Sequence, residues 1–447
     1  MILKKIGTLD MPHKPYAEKY ISLIEAVSMV KSNHTIGVGI AGAEPVGLLT
    51  TLAEKALDLE NVHIWTCLPM RAYDIFINPQ MAGHIYNENW FYSYSDRKFH
   101  HEGRVSYIPN NLHRASTDKL ISTKGALDIF WGTATPPNDD GFMSLSLGLI
   151  VQKDLLEAAD LKILEVNQNL PWVFGDTMVH VSEVDYLVEN HAPLVELSSE
   201  PPSELEQQIG GFIADLIEDG STIQLGIGGI PNAITAYIMD RKDLGIHTEM
   251  LVDGMVDLIE AGVVTNQKKT LHPGKTVGAF ALGTNKLYSY INNNKDVEMY
   301  RGRYTNDPYV IAKNNQMISV NTALQVDVLG QVCSQSIGTR QFSGTGGQLD
   351  THRGAQMSPG GRGIIALRST AKNGSISTIV PTLAPGAGVT VPSQDVDTII
   401  TEYGVAELRG CCVRDRMESL ARIAHPDFRD WIREESHRLG IVPNTLY

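Results

Sequence analysis

The chain has 447 residues, 37 of them basic and 51 acidic, for a net charge of −14, which argues against a nucleic-acid binder without excluding a locally positive pocket. That length exceeds what one hydrophobic core supports, so two domains are expected, and 43% hydrophobic with 20% charged residues is a globular composition. Four scattered cysteines (Cys67, Cys333, Cys411, Cys412) exclude a disulfide framework, and the adjacent pair lacks metal-ligand spacing. No apolar run reaches membrane-span length and the N-terminus lacks a signal-peptide core, so a cytoplasmic protein is expected.

In chain order, Leu23, Ile24, Ala26, Val27 and Val30 fall at helical spacing. Thr35–Ala41 reads as a strand entering a glycine turn, Pro45 follows, and a helical pattern runs from Val46 to Ala56. Val62–Thr66, Ala126–Phe130 and Lys162–Val166 are strand-like runs alternating with helical patterns, which points to a mainly parallel sheet. The polar stretch from Ser198 to Ser203, with Pro201 and Pro202, reads as the linker between residues 1–200 and 201–447.

The second half opens with a helix from Leu205 to Ile217, then the strand Thr222, Ile223, Leu225. Gly226-Ile227-Gly228-Gly229-Ile230-Pro231 follows, and a helix resumes through Ala233, Ile234 and Tyr237. This repeats the strand, glycine turn, proline and helix near residue 40, so the two halves read as one α/β plan used twice. Glycines at a strand end let a ligand approach the backbone, and a helix start gathers N–H groups able to hold an anion. Twenty residues on, Glu249 is a carboxylate among apolar neighbours, just ahead of an expected turn at Asp253-Gly254. His247 lies two residues before it, where a strand would give the two a common face, so it reads equally as a base or a packed neighbour. A dinucleotide fingerprint fails because Pro231 stands where its third glycine belongs.

Further on lie the strand-like Met317–Asp327, with the polar Asn321 in an apolar setting, and the glycine-dense 342–350 and 358–363. Ile364–Leu367 and Ser377–Val380 read as strands.

The ordered set GIGGIP, HTEMLVDG, SVNTALQVDVLGQV, SGTGGQLD, GGRGIIALRSTAKNGSISTIVP, TEYGVAELRG and IAHPDFR, with TPPNDDGFMSLSLG and EVNQNLP earlier, resembles the acetyl-CoA hydrolase/transferase family. Within that family it looks most like the branch of 4-hydroxybutyrate CoA-transferases and butyryl-CoA:acetate CoA-transferases. The resemblance implies two related open, mostly parallel-sheet α/β domains of the family I CoA-transferase, NagB/RpiA-like type. It also implies a homodimer, with the active site in the cleft between domains. No permanently bound cofactor is implied; coenzyme A is a substrate and becomes a covalent glutamyl-CoA intermediate, with small carboxylates as the other partners.

By the same resemblance, Glu249 is the nucleophile that forms an acyl-glutamyl anhydride and then a glutamyl-CoA thioester. Gly226, Ile227, Gly228, Gly229 and Ile230 form a CoA-contacting loop, Asn321 hydrogen-bonds near the thioester, and Gly344, Gly346, Gly347 and Gln348 face CoA and the reacting carbonyl. Such chemistry needs an accessible carboxylate, oxyanion donors and a dry site. The sequence departs from the family at Thr351, where an aromatic is usual, which puts the acyl-pocket shape in question, and at Cys411-Cys412. Lys372 reads as a solvated turn residue or a phosphate contact. Two other readings remain at this stage: an acyl-CoA hydrolase, and a non-catalytic acyl-CoA sensor.

Overall fold

A computed structural model describes residues 16–198, 200–226 and 228–443. Two large sheets carry the chain, one in each half. In the first, the strand Thr35–Val38 lies at the centre. On one side it pairs in turn with Val62–Thr66, Ile85–Asn89 and Val105–Tyr107, and on the other with Ile129–Ala134, Leu161–Val166, Tyr186–Glu189 and finally Tyr20–Ile21. All eight strands are parallel. The direction of winding reverses between Thr35–Val38 and Ile129–Ala134, as in doubly wound sheets.

The second sheet repeats the plan with six strands. Thr222–Leu225 pairs with Gly245–Ile246 on one side and Met317–Thr322 on the other; Arg362–Ala366, Thr398–Thr401 and Gly404–Glu407 continue outward. Only the last pair, a hairpin, is antiparallel. The two strand, glycine and proline segments read from the sequence occupy corresponding places, each the first strand beside its sheet's reversal point.

Local sequence explains the helices that flank these strands. Ser22 caps Leu23–Ser28 through a reciprocal box with Glu25, and Ser203 caps Glu204–Ala214 in the same way with Glu206. Pro231 is the third residue of the helix Gly229–Tyr237 rather than its first, a position whose N–H also lacks an intrahelical partner. Asp253-Gly254 is not a turn: these residues begin the helix Asp253–Glu260.

The halves interlock. Phe174–Gly175 pairs with Val297–Met299 across the two halves, Leu149 N–H donates to Ala279 O at 2.9 Å and Ala281 N–H to Leu147 O at 2.8 Å. One hydrophobic cluster runs from Trp65 and Phe130 through Leu147 to Ile223 and Ile246. Among the described residues, those from 190 to 203 carry no helix or strand.

Candidate active site

Chain direction around Glu249 is set by three short pairings. His247 N–H donates to Ile223 O, Thr248 N–H to Val277 O, and Met250–Leu251 then pairs with Phe280–Ala281. The chain thus leaves the six-stranded sheet and joins a small two-stranded one, with Glu249 at the crossing. Its carbonyl accepts from both Ala279 and Phe280 N–H at 3.0 Å. The break in the strand at Thr248 also separates His247 from Glu249. His247 is 1% exposed, its Nε2 bonds Thr305 O at 2.9 Å, and burial drives its pKa down to about 3, so it is neutral and no base for this site.

The Glu249 carboxylate opens onto a cavity of about 260 Å³ between the halves. Asn306 Nδ2 donates to its Oε2 at 2.8 Å, and the Gly347 N–H also faces it. Burial raises its pKa to about 7; the Asn306 bond opposes the rise, the Asp350 charge adds to it, and the Gly347 bond opposes it. Asn306 ends the helix Gly302–Thr305, whose preceding residue, Arg301, is held by Asp176 at 2.6 Å, Asp154 at 2.9 Å and Glu157 at 2.6 Å. These acids belong to the first half, so the donor on the nucleophile is anchored across the cleft.

The glycine loop 343–347 needs its glycines for space. A Cβ on Gly347 would coincide with Glu249 Oε2 and Asn306 Nδ2, and one on Gly344 would strike the Trp90 carbonyl. Gly346, at φ 53°, also needs the left-handed conformation. The first half pins this loop: Tyr107 Oη accepts from Thr345 N–H at 3.2 Å, Thr345 Oγ1 donates to Asn110 O at 2.8 Å, and Arg97 Nε donates to Phe342 O at 2.5 Å.

The expected site residues divide. Glu249, Gly226, Asn321, Gly344, Gly346, Gly347 and Gln348 all line the cavity. Ile227 lies outside the described residues. Gly228, Gly229 and Ile230 do not line it. Ile230 is 6% exposed and belongs to the core, and the space beside Gly229 is filled by the carboxylate of Glu206. The helix start at Gly229, expected to attract an anion, faces the Glu206 carboxylate of its own chain. Asn321 directs Nδ2 to Ser319 Oγ and Thr351 Oγ1 at 3.1 Å and to Gln224 Oε1 at 3.3 Å. Thr351 does not line the cavity; it shapes the site by holding Asn321 from behind.

Cys67, read from the sequence as a core residue, is buried but forms part of the cavity wall, and burial with the nearby Glu249 charge pushes its thiol up. Cys333 is a buried core residue; Lys372 and Cys412 are exposed and do not line the cavity. Asn306 and Phe91 gave no sequence signal, since Asn306 before Asp307-Pro308 resembles any turn, whereas Tyr107-Ile108-Pro109 reads as a strand end running into a loop of the kind that borders a crevice.

Within the cavity wall Glu249 and Cys67 are the titratable side chains among the described residues, and most of the rest is hydrocarbon, including Leu68, Phe91, Leu225, Met250 and Val320. Such a site supports attack by a carboxylate in a water-poor setting. Among the described residues no group of three His, Cys, Asp or Glu could hold a metal ion, and no helix is long and apolar enough to cross a membrane.

Residues 5–197 match the model of the acetyl-CoA hydrolase/transferase N-terminal domain, and residues 283–436 that of the acetyl-CoA hydrolase/transferase C-terminal domain. The chain is 42% identical to a succinyl-CoA:cyclohexane-1-carboxylate CoA transferase of Geobacter metallireducens, over 96% of this chain and 97% of that one. It is 41% identical to a 4-hydroxybutyrate coenzyme A transferase of Clostridium kluyveri, over 94% and 97%. The crystal structure of RipA from Yersinia pestis superposes with a TM-score of 0.90 at 36% identity, covering 96% of this chain and 99% of that one.

Proposed function

The chain belongs to the acetyl-CoA hydrolase/transferase family and is an enzyme of the CoA-transferase kind, and from that premise we propose that it moves CoA between a short-chain acyl-CoA and a carboxylate such as acetate, with Glu249 as covalent carrier. The observation that supports this most is the setting of Glu249: a carboxylate in an apolar cavity, held by the amide of Asn306 and the N–H of Gly347. Such a carboxylate is more basic than usual, and hence a stronger nucleophile, while water is kept from its intermediates.

In the proposed sequence a Glu249 oxygen attacks the thioester carbonyl, the C–S bond breaks, and CoA leaves as thiolate. The thiolate then attacks the glutamyl carbon of the anhydride, releasing the acyl group as a carboxylate and leaving glutamyl-CoA. An incoming carboxylate reverses both steps and departs as the new thioester. Thiolate needs no protonation to leave, which agrees with a cavity wall that carries no His or Lys among the described residues. The Gly347 N–H stands beside the reacting carboxyl and serves as a donor for its oxyanion.

The test is mass spectrometry after brief exposure to acetyl-CoA without added carboxylate, with the Glu249 peptide mapped under mildly acidic conditions. A CoA adduct on that peptide, discharged by acetate, is expected. Loss of acetyl-CoA to free CoA with no adduct would replace the transferase by a hydrolase; tight binding with no turnover would leave a sensor. The division at residue 200 and a homodimer belong to the same proposal: scattering mass in solution tests the second, and a stable fragment after cleavage between 198 and 203 the first.

A further inference from the structure

We propose that the cavity selects acyl groups with a plain hydrocarbon tail and rejects those whose tail carries a second carboxylate, as in succinyl. The inference rests on the transferase reading, because it takes Glu249 as the point where the reacting carbonyl sits. A cavity of about 260 Å³ cannot enclose coenzyme A, so the nucleotide arm must leave through the mouth. The mouth is marked by the exposed Thr322 and the half-buried Gly226 and Ser334. Only the opposite end remains for the acyl chain.

We assign the closed end to the wall residues of the first half, Ile40, Cys67, Leu112 and Ile150, which are 2%, 7%, 5% and 1% exposed. No Lys, Arg or His lines the cavity among the described residues. Cations on neighbouring elements are committed elsewhere: Arg97 lies over the Phe342 ring at 3.7 Å, His113 pairs with Asp350, and Lys119 pairs with Glu88. A second carboxylate would therefore lose its water and find no cation among the described wall residues. An uncompensated buried charge of this kind costs about a 10²- to 10³-fold loss in rate. At the assigned end a terminal hydroxyl meets the Cys67 thiol, a weak partner, and hydrophobic walls reject an added hydroxyl only modestly, here about tenfold.

The experiment discharges preformed glutamyl-CoA with butyrate, 4-hydroxybutyrate and succinate and compares the second-order rate constants. The expected order is butyrate first, 4-hydroxybutyrate about tenfold lower, and succinate at least about a hundredfold lower. Succinate within tenfold of butyrate overturns the proposal. Failure to form any glutamyl-CoA removes the transferase reading itself, a different result seen before any acceptor is added. Leu112→Arg places a cation at the closed end and is expected to raise the succinate-to-butyrate ratio at least tenfold. Should that variant not fold, Cys67→Ser is expected to raise the 4-hydroxybutyrate-to-butyrate ratio severalfold; an unchanged ratio counts against the assigned end wall.

Discussion

His113 and Asp350 meet across the two halves, with His113 Nδ1 at 2.9 Å from Asp350 Oδ1 and the His113 N–H donating to Oδ2 at 3.0 Å. Asp350 lies in the first turn of the helix Gln348–Met357, three residues beyond Gly347, and its charge contributes to the raised pKa of Glu249. Burial alone would lower the His113 pKa, but the bond and charge of Asp350 outweigh it and leave it raised. A group with a raised folded-state pKa stabilises fully below its unfolded value and ceases to do so as pH rises through the folded one. His113→Ala is therefore expected to cost about 2 kcal/mol near pH 6, with the gap to wild type shrinking at higher pH. Urea unfolding at several pH values checks this, and a gap that widens with pH refutes it.

The Glu249 pKa of about 7 makes activity depend on pH in the opposite limb. Since the ionised form attacks, kcat/KM should rise with pH through an apparent pKa near 7, then level off. Ionisation of this group in the folded state is costly, so Glu249→Gln should abolish transfer yet stabilise the protein. The gain should be absent near pH 4.5 and grow to at most about 3 kcal/mol by pH 8. Thermal melts of wild type and variant at pH 5 and 8 decide; equal differences at both would show that Glu249 is not destabilised by burial.

Asn306 is the side-chain donor to that carboxylate. Removing a hydrogen bond to a charged group costs about 1.5–3 kcal/mol, so Asn306→Ala should lower kcat/KM by about 10- to 10²-fold. It should also move the acid limb upward, because the bond favours the ionised form. A pH profile shifted downward, or unchanged, would show that Asn306 does not act on Glu249.

At Gly347 the backbone φ of −90° is open to any residue, so its requirement is steric. Gly347→Ala should push the Glu249 carboxylate out of line and lower activity at least about a hundredfold, with far-ultraviolet dichroism unchanged. Activity within threefold of wild type would show that the loop yields without moving Glu249.

How far the site was legible depends on how each residue announces itself. Glu249 stands out because a carboxylate in an apolar run is locally anomalous, and Gly344, Gly346 and Gly347 because dense glycine is rare outside tight backbone approach. Both readings need only neighbours in sequence. Cys67 looked like a core residue because its type and flanks are those of a core; its place on the cavity wall follows from lying just past the end of the strand Val62–Thr66. Thr351 put the acyl-pocket shape in question, and the structure places it behind Asn321. Beside Gly229 stands Glu206 from the preceding helix, a neighbour that local sequence does not announce.

By itself the sequence determined what periodicity and backbone chemistry determine: two α/β halves on mainly parallel sheets, glycine turns at strand ends, and one carboxylate out of keeping with its surroundings. Tertiary structure decided which groups meet that carboxylate. Asn306 reaches it from 57 residues away, Tyr107 and Asn110 brace its glycine loop from the other half of the chain, and His113 holds Asp350 in the helix that follows the loop. Those contacts depend on how separately formed elements pack, and side-chain periodicity within an element carries no record of which distant surface it will face.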